Sequence, residues 1–113
     1  MPFIQIKTNQ KILPDKQETI KKELGEKISL LGKSESWLMI ELEQQCCMYF
    51  KGKSDKPIAM VEVTIYGKAS SEQYEKLTQA ITKLLQTELE ISPEKVYISY
   101  TETQNFAWNG SNF

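Results

Sequence analysis

The side chains able to do chemistry are few, because two of the usual ones are missing. The 113-residue chain has no His, and its fourteen basic residues are all Lys. Ser-His and Cys-His nucleophilic schemes are thereby excluded, as are zinc sites built on His. No guanidinium is present to clamp a carboxylate or phosphate bidentately. Acid–base work must come from Lys, Asp, Glu, Tyr, Cys or the α-amine. The α-amine stands out, because Pro2 lies between Met1 and a strand-like run, FIQIK. While Met1 is attached, the Pro2 nitrogen is a tertiary amide without useful basicity. Initiator methionine is usually removed before a residue as small as proline, and the same nitrogen then becomes a terminal secondary amine. A solvated α-amine titrates at about pH 8. Burial among aromatic groups, or a nearby Lys ammonium, would lower that value. The result would be a neutral base suited to moving a proton next to a carbonyl.

Other reactive groups are less promising. Cys46 and Cys47 are adjacent, which is neither the C-x-x-C of a redox pair nor a disulfide framework. They read as reduced structural thiols. Asn109-Gly110-Ser111 fits a glycosylation acceptor but equally a tight turn, and it reads as the turn. Net charge is −1, so no strong field draws the chain to nucleic acid or to an anionic membrane. No apolar run approaches the roughly 20 residues of a membrane span, and no secretory signal opens the chain. A cytoplasmic protein is expected, with export by a route lacking a signal peptide left open. No metal site or cofactor is expected.

The elements that would position these groups come as two similar halves within one domain, 1–113. In the first, Ile4 and Ile6 alternate on a strand. The stretch PDKQETIKKELGEKISLLGK then places Ile20, Leu24, Ile28 and Leu31 on one helical face. Asp15 and Glu18 have capping-box spacing, and Gly32 is a left-handed C-terminal cap. WLMIEL alternates again, with Leu38, Ile40 and Leu42 on one side. In the second half, Ala59, Val61, Val63 and Ile65 share a strand face. A helix follows with Tyr74, Leu77, Ile81, Leu84 and Leu85 inward, capped by Ser70 and Gln73. Val96, Ile98 and Tyr100 share the last strand face. CMYFKGKSDKP between the halves reads as a short strand and a turn-rich connection. The expected fold is α+β: duplicated βαβ units forming a four-stranded mixed sheet with two helices on one face.

The other sheet face would carry Phe3, Gln5, Lys7, Trp37, Met39, Glu41, Met60, Glu62, Thr64, Tyr66, Tyr97 and Ser99. It is too aromatic for an ordinary solvent face and too polar for a dry core. Shared burial with neighbouring subunits accounts for it.

Four features occur in order: Pro2 at the first strand, LGK after the first helix, SPEKVYISY after the second, and FAWNGSNF at the end. Together they resemble the macrophage migration inhibitory factor family of the tautomerase superfamily, over essentially the whole chain. The resemblance implies a homotrimer with active sites at subunit interfaces. It also implies a cofactor-free keto–enol tautomerase acting on small aromatic keto acids such as phenylpyruvate, and on dopachrome-like compounds. By the same resemblance Pro2 is the catalytic base and Lys33 binds substrate. Ile65 and Tyr66 fall where substrate meets the main chain. Tyr97 comes from the neighbouring subunit, Ser99 is a further substrate-binding position, and Trp37, Phe106, Trp108 and Phe113 fall at or near the apolar wall.

The chain departs from the family pattern in places. Ile65-Tyr66-Gly67 stands where Ser-Ile-Gly is common, Ser99 where Asn is common, and Trp37 where Tyr is common. The C-x-x-C linked to thiol oxidoreductase activity in some members would fall near KPIAMVEV, where no Cys stands, so that activity is not carried over. A second reading of the same resemblance is a secreted, cytokine-like protein acting by receptor binding with vestigial catalysis. The intact set Pro2, Lys33 and Tyr97 favours retained chemistry, since receptor binding alone does not require it.

Overall fold

A computed structural model describes the chain from Met1 to Phe113. The first half folds as β1 (Pro2–Thr8), α1 (Pro14–Lys27) and β2 (Met39–Glu43). The second folds as β3 (Ala59–Tyr66), α2 (Ser71–Leu89) and β4 (Val96–Thr103). A C-terminal hairpin of β5 (Ala107–Trp108) and β6 (Ser111–Asn112) follows. The four long strands form one mixed sheet in the order β2-β1-β3-β4. β1 runs parallel to β2 and β3 parallel to β4, while β1 and β3 meet antiparallel at the centre. Each βαβ half is thus related to the other about the β1–β3 seam, as the duplicated pattern predicts.

Period-two alternation explains which sheet face is covered. Ile4 and Ile6 of β1 and Val61, Val63 and Ile65 of β3 are buried, together with Ile20, Leu24 and Ile28 from the first helical segment and Leu77, Ile81 and Leu85 from α2. Both helices therefore pack on one side. β2 and β4 are less covered: Leu38, Ile40, Leu42, Val96, Ile98 and Tyr100 are only partly buried against this core. Two helices cannot shield the outer strands as fully as the central pair.

Local details both agree and differ with the sequence reading. α2 has the expected capping box: Ser70 Oγ accepts from the Gln73 N–H, and Gln73 Oε1 accepts from the Ser70 N–H. The box expected at Asp15 and Glu18 does not form. Pro14, with φ preset for a helix, takes the first helical position, which makes Leu13 the N-cap with no side-chain bond. Asp15 lies in the first turn instead, where the positive end of the helix favours it. α1 tightens into a 3-10 turn over Ile28–Leu31, and Gly32 ends that turn with φ +71°. Trp37 is not on a strand; it closes a second 3-10 turn, Glu35–Trp37, before β2 begins. The short strand expected in CMYF is also absent. In the chain alone this segment finds no ladder beyond the Phe50–Lys53 bridge, closed by the positive-φ residues Lys51 and Gly52. No helix is long and apolar enough to cross a membrane.

Candidate active site at the N-terminal end of the central strand

Pro2 is buried at the start of β1, opposite Ile65 on β3. It opens onto a cleft of about 560 Å³. The cleft is lined by Met1, Pro2, Phe3, Ser36, Trp37, Leu38, Met39, Thr64, Phe106, Ala107 and Trp108. Four elements supply this lining: the start of β1, the 3-10 turn leading into β2, Thr64 of β3, and the C-terminal hairpin with the preceding Phe106. The parallel register of Phe3 with Met39 brings the first two side by side. The hairpin is held by aromatic edge contacts, Trp108 on Trp37 at 5.0 Å between ring centroids and Phe113 on Tyr66 at 5.6 Å. Most of the wall is apolar or aromatic, as suits an aryl ligand.

Lys33 reaches this end of the molecule through two glycines. The left-handed conformation of Gly32 turns the chain after the 3-10 segment, and Lys33 follows it. Gly67 has φ +87°, a left-handed conformation that favours glycine, and Lys33 Nζ lies at contact distance from it, 3.7 Å from where a Cβ would stand. The half-buried Lys33 donates from Nζ to the Tyr66 carbonyl at 2.9 Å. An ammonium has three donors, so this bond leaves two for another acceptor. The Tyr66 N–H donates to the Met1 carbonyl at 3.0 Å. The two main-chain groups of Tyr66 thus fix Lys33 and the chain start relative to each other. The α-amine of Met1 titrates below its ordinary value of 8.0, first because it is partly buried and second because Lys33 is near.

The structure places Pro2, Trp37, Phe106 and Trp108 on the cleft, while Lys33, Tyr66 and Phe113 lie next to it without lining it, joined through the Lys33–Tyr66 hydrogen bond and the ring contacts of Tyr66 with Phe106 and Phe113. Ile65 is part of this group only through its main chain, because its side chain is 1% exposed and points into the core. Tyr97 and Ser99 do not join the group within one chain. Tyr97 pairs with Met60, five residues along β3 from the Ile65 that faces Pro2. At about 3.3 Å per residue that is roughly 17 Å away. Tyr97 is 64% exposed there and stands edge-on to Phe50 at 5.4 Å, and Lys95 Nζ lies over that same Phe50 ring. Sequence reasoning did not single out Ser36, Leu38, Thr64 or Ala107 as part of the cleft. Thr64 could have been placed by strand parity, but Ser36 and Leu38 depend on a 3-10 turn that no periodicity marks.

Comparison with known proteins identifies the family and the fold. The family model described as "Macrophage migration inhibitory factor (MIF)" matches residues 1–113. The macrophage migration inhibitory factor of Xenopus laevis is 30% identical over 118 aligned positions, covering 100% of this chain and 99% of that protein. That of Rattus norvegicus is 33% identical over 84 residues, 73% of this chain and 72% of the relative. Among solved structures, MIF2 of Leishmania major superposes with a TM-score of 0.92 at 28% identity, covering 100% of this chain and 97% of that one. The macrophage migration inhibitory factor homologue from Prochlorococcus marinus gives a TM-score of 0.89 at 26% identity, with 98% of each chain covered.

Proposed function

The chain belongs to the macrophage migration inhibitory factor family, and from that premise we propose that it is a keto–enol tautomerase of small aromatic keto acids, with the Pro2 amine as base. The observation that carries this reading is Pro2 on an aromatic cleft, with the Lys33 ammonium held on the Tyr66 carbonyl at the same end of the β1–β3 pair. After Met1 is removed, the Pro2 nitrogen is a secondary amine in a partly desolvated place beside a cation. Both influences favour its neutral form near pH 7. It then takes a proton from the carbon next to the substrate carbonyl, and charge moves onto the carbonyl oxygen. The protonated amine then gives that proton to the oxygen, completing keto-to-enol isomerisation; in the reverse direction the amine takes the enol proton and delivers it to carbon.

Lys33 has donors free for the substrate carboxylate or the developing enolate, and acts as a point charge. Removal of Met1 also releases the Tyr66 N–H from its partner, which gives a second donor for a substrate oxygen. Phe3, Trp37, Phe106 and Trp108 receive the aryl group. Tyr97 contributes its phenol only if a second copy brings it to the Pro2 end, so the reading includes a homotrimer with sites between subunits. The half-covered β2 and β4 edges and the exposed Met39 and Tyr97 favour such burial.

The test is tautomerisation of hydroxyphenylpyruvate by protein whose N-terminus has been defined by mass spectrometry. Turnover by chains that start at Pro2 supports the reading. Absence of turnover in a correctly processed, folded oligomer would remove it and leave a binding role.

A further inference from the structure

The C-terminal hairpin carries a second piece of chemistry that does not depend on the tautomerase reading. β5 and β6 pair antiparallel, Ala107 with Asn112 and Trp108 with Ser111. The two residues between them, Asn109 and Gly110, have φ of +52° and +80°. Such a pair of positive values is what a two-residue type I′ hairpin turn requires, and Asn-Gly is its preferred sequence. The hairpin forms its own two-stranded sheet, apart from the main one. All its residues from Ala107 to Phe113 are exposed. A ribbon of this size is marginally stable alone and opens readily. It rests on the body mainly through ring edges, Trp108 on Trp37, and Phe106 and Phe113 on Tyr66.

We propose that Asn109 is a site of spontaneous deamidation, and that this modification dismantles the Trp108 side of the cleft. When the turn opens, the main-chain nitrogen of Gly110 attacks Cγ of Asn109, since glycine has no side chain to shield it. A new N–Cγ bond forms, the Cγ–Nδ2 bond breaks, and the side-chain NH2 leaves as ammonia with the proton from the Gly110 nitrogen. Water then opens the cyclic imide at either carbonyl, giving aspartate or isoaspartate. The net exchange is water in and ammonia out, with no oxidant or cofactor. Isoaspartate routes the main chain through Cβ and adds a methylene to a two-residue turn. The register that sets Trp108 opposite Ser111 cannot survive that insertion, and Trp108 leaves Trp37. Both products also place a carboxylate at the hairpin tip.

Asn9 provides an internal control. Its carboxamide donates to the Lys56 carbonyl at 2.9 Å and accepts from the Ile58 N–H at 2.9 Å, and Gln10 follows it. The protein should be aged at mildly alkaline pH and followed by peptide mapping and tryptophan emission. The peptide holding residues 96–113 is expected to gain the mass difference between a carboxylate and a carboxamide at Asn109, and to split into two chromatographic forms. Asn9 should remain intact. Emission should shift red as modification proceeds, because Trp108 becomes wetter. Asn109→Gly keeps a residue that accepts positive φ and lacks the reacting amide, so it should show neither change. An Asn109 that survives as long as Asn9 overturns the proposal. Modification with unchanged emission overturns its effect on the cleft, as does an equal red shift in Asn109→Gly.

Discussion

The main-chain N–H of Tyr66 donates to the carbonyl of Met1 at 3.0 Å, while the carbonyl of the same residue accepts from Lys33 at 2.9 Å. An uncleaved Met1 therefore occupies a donor at the candidate site as well as acylating the Pro2 nitrogen. Chains that retain Met1 should fold and assemble like processed ones yet lack tautomerisation. Equal turnover by the two forms, each of mass-verified purity, would refute Pro2 as the base.

The pH dependence has a definite sign. Burial and the nearby Lys33 hold the Met1 α-amine below its ordinary value; a Pro2 amine under the same two influences becomes a neutral base at lower pH than a solvated one, so activity should rise with pH along an acid limb set by that amine. For the Met1 α-amine Lys33 is the smaller of the two lowering causes, burial being the larger, and Lys33→Ala removes it. The acid limb of kcat/KM should move upward in the variant but stay below the limb of a fully solvated amine. For substrates with a carboxylate, the same substitution should also cost about 1.5–3 kcal/mol, or roughly ten- to a hundredfold in kcat/KM. An unmoved limb, with equal losses for acid and ester substrates, would reduce Lys33 to a surface cation.

The separation of Tyr97 from Pro2 along β3 predicts complementation between chains. Sedimentation should give three times 13.1 kDa. Pro2→Gly and Tyr97→Phe chains, each weakened alone, should recover activity when reassembled together, because some interfaces then pair an intact Pro2 with an intact Tyr97. Phe50→Ala, which removes the ring standing against Tyr97, should lower kcat/KM without changing the mass. A monomer, or mixed oligomers no more active than the mean of their parents, would place Tyr97 outside the site.

Tyr74 gives a prediction about stability. Burial first, and then the 2.6 Å hydrogen bond to Glu102, raise its phenol from 10.0 to about 12. The folded chain thus keeps a proton that the unfolded chain gives up sooner. This contribution is full below pH 10 and fades as pH rises toward 12. Denaturant midpoints should fall over that window, and Tyr74→Phe should make the fall shallower. A slope unchanged by the substitution would show that the hydroxyl is not the titrating group. Glu102 titrates low, chiefly through the bond from Tyr74 and next through the Ala69 N–H, so its contribution is present at neutral pH and lost on acidification.

Much of the fold was legible in the sequence because burial on β1, β3 and α2 follows simple periods. Ile4 and Ile6, Val61 to Ile65, and Leu77 to Leu85 face inward as their spacing requires. The absence of His and Arg and the position of Pro2 likewise narrowed the chemistry before any coordinates, since those are facts of residue type. Other features were set by long-range geometry. Pro14 displaced the cap expected at Asp15, a competition between local signals that spacing does not rank. Trp37 left the strand because a 3-10 turn intervenes, and CMYF found no partner strand within the chain. The cleft itself is a tertiary product: residues 1–3, 36–39, 64 and 106–108 become neighbours only when β1 lies between β2 and β3 and the terminal hairpin folds back on Trp37 and Tyr66. Sequence fixes which side chains are available, by their chemistry and local period. Which of them meet depends on strand order and register, and those are decided by contacts between residues far apart in the chain.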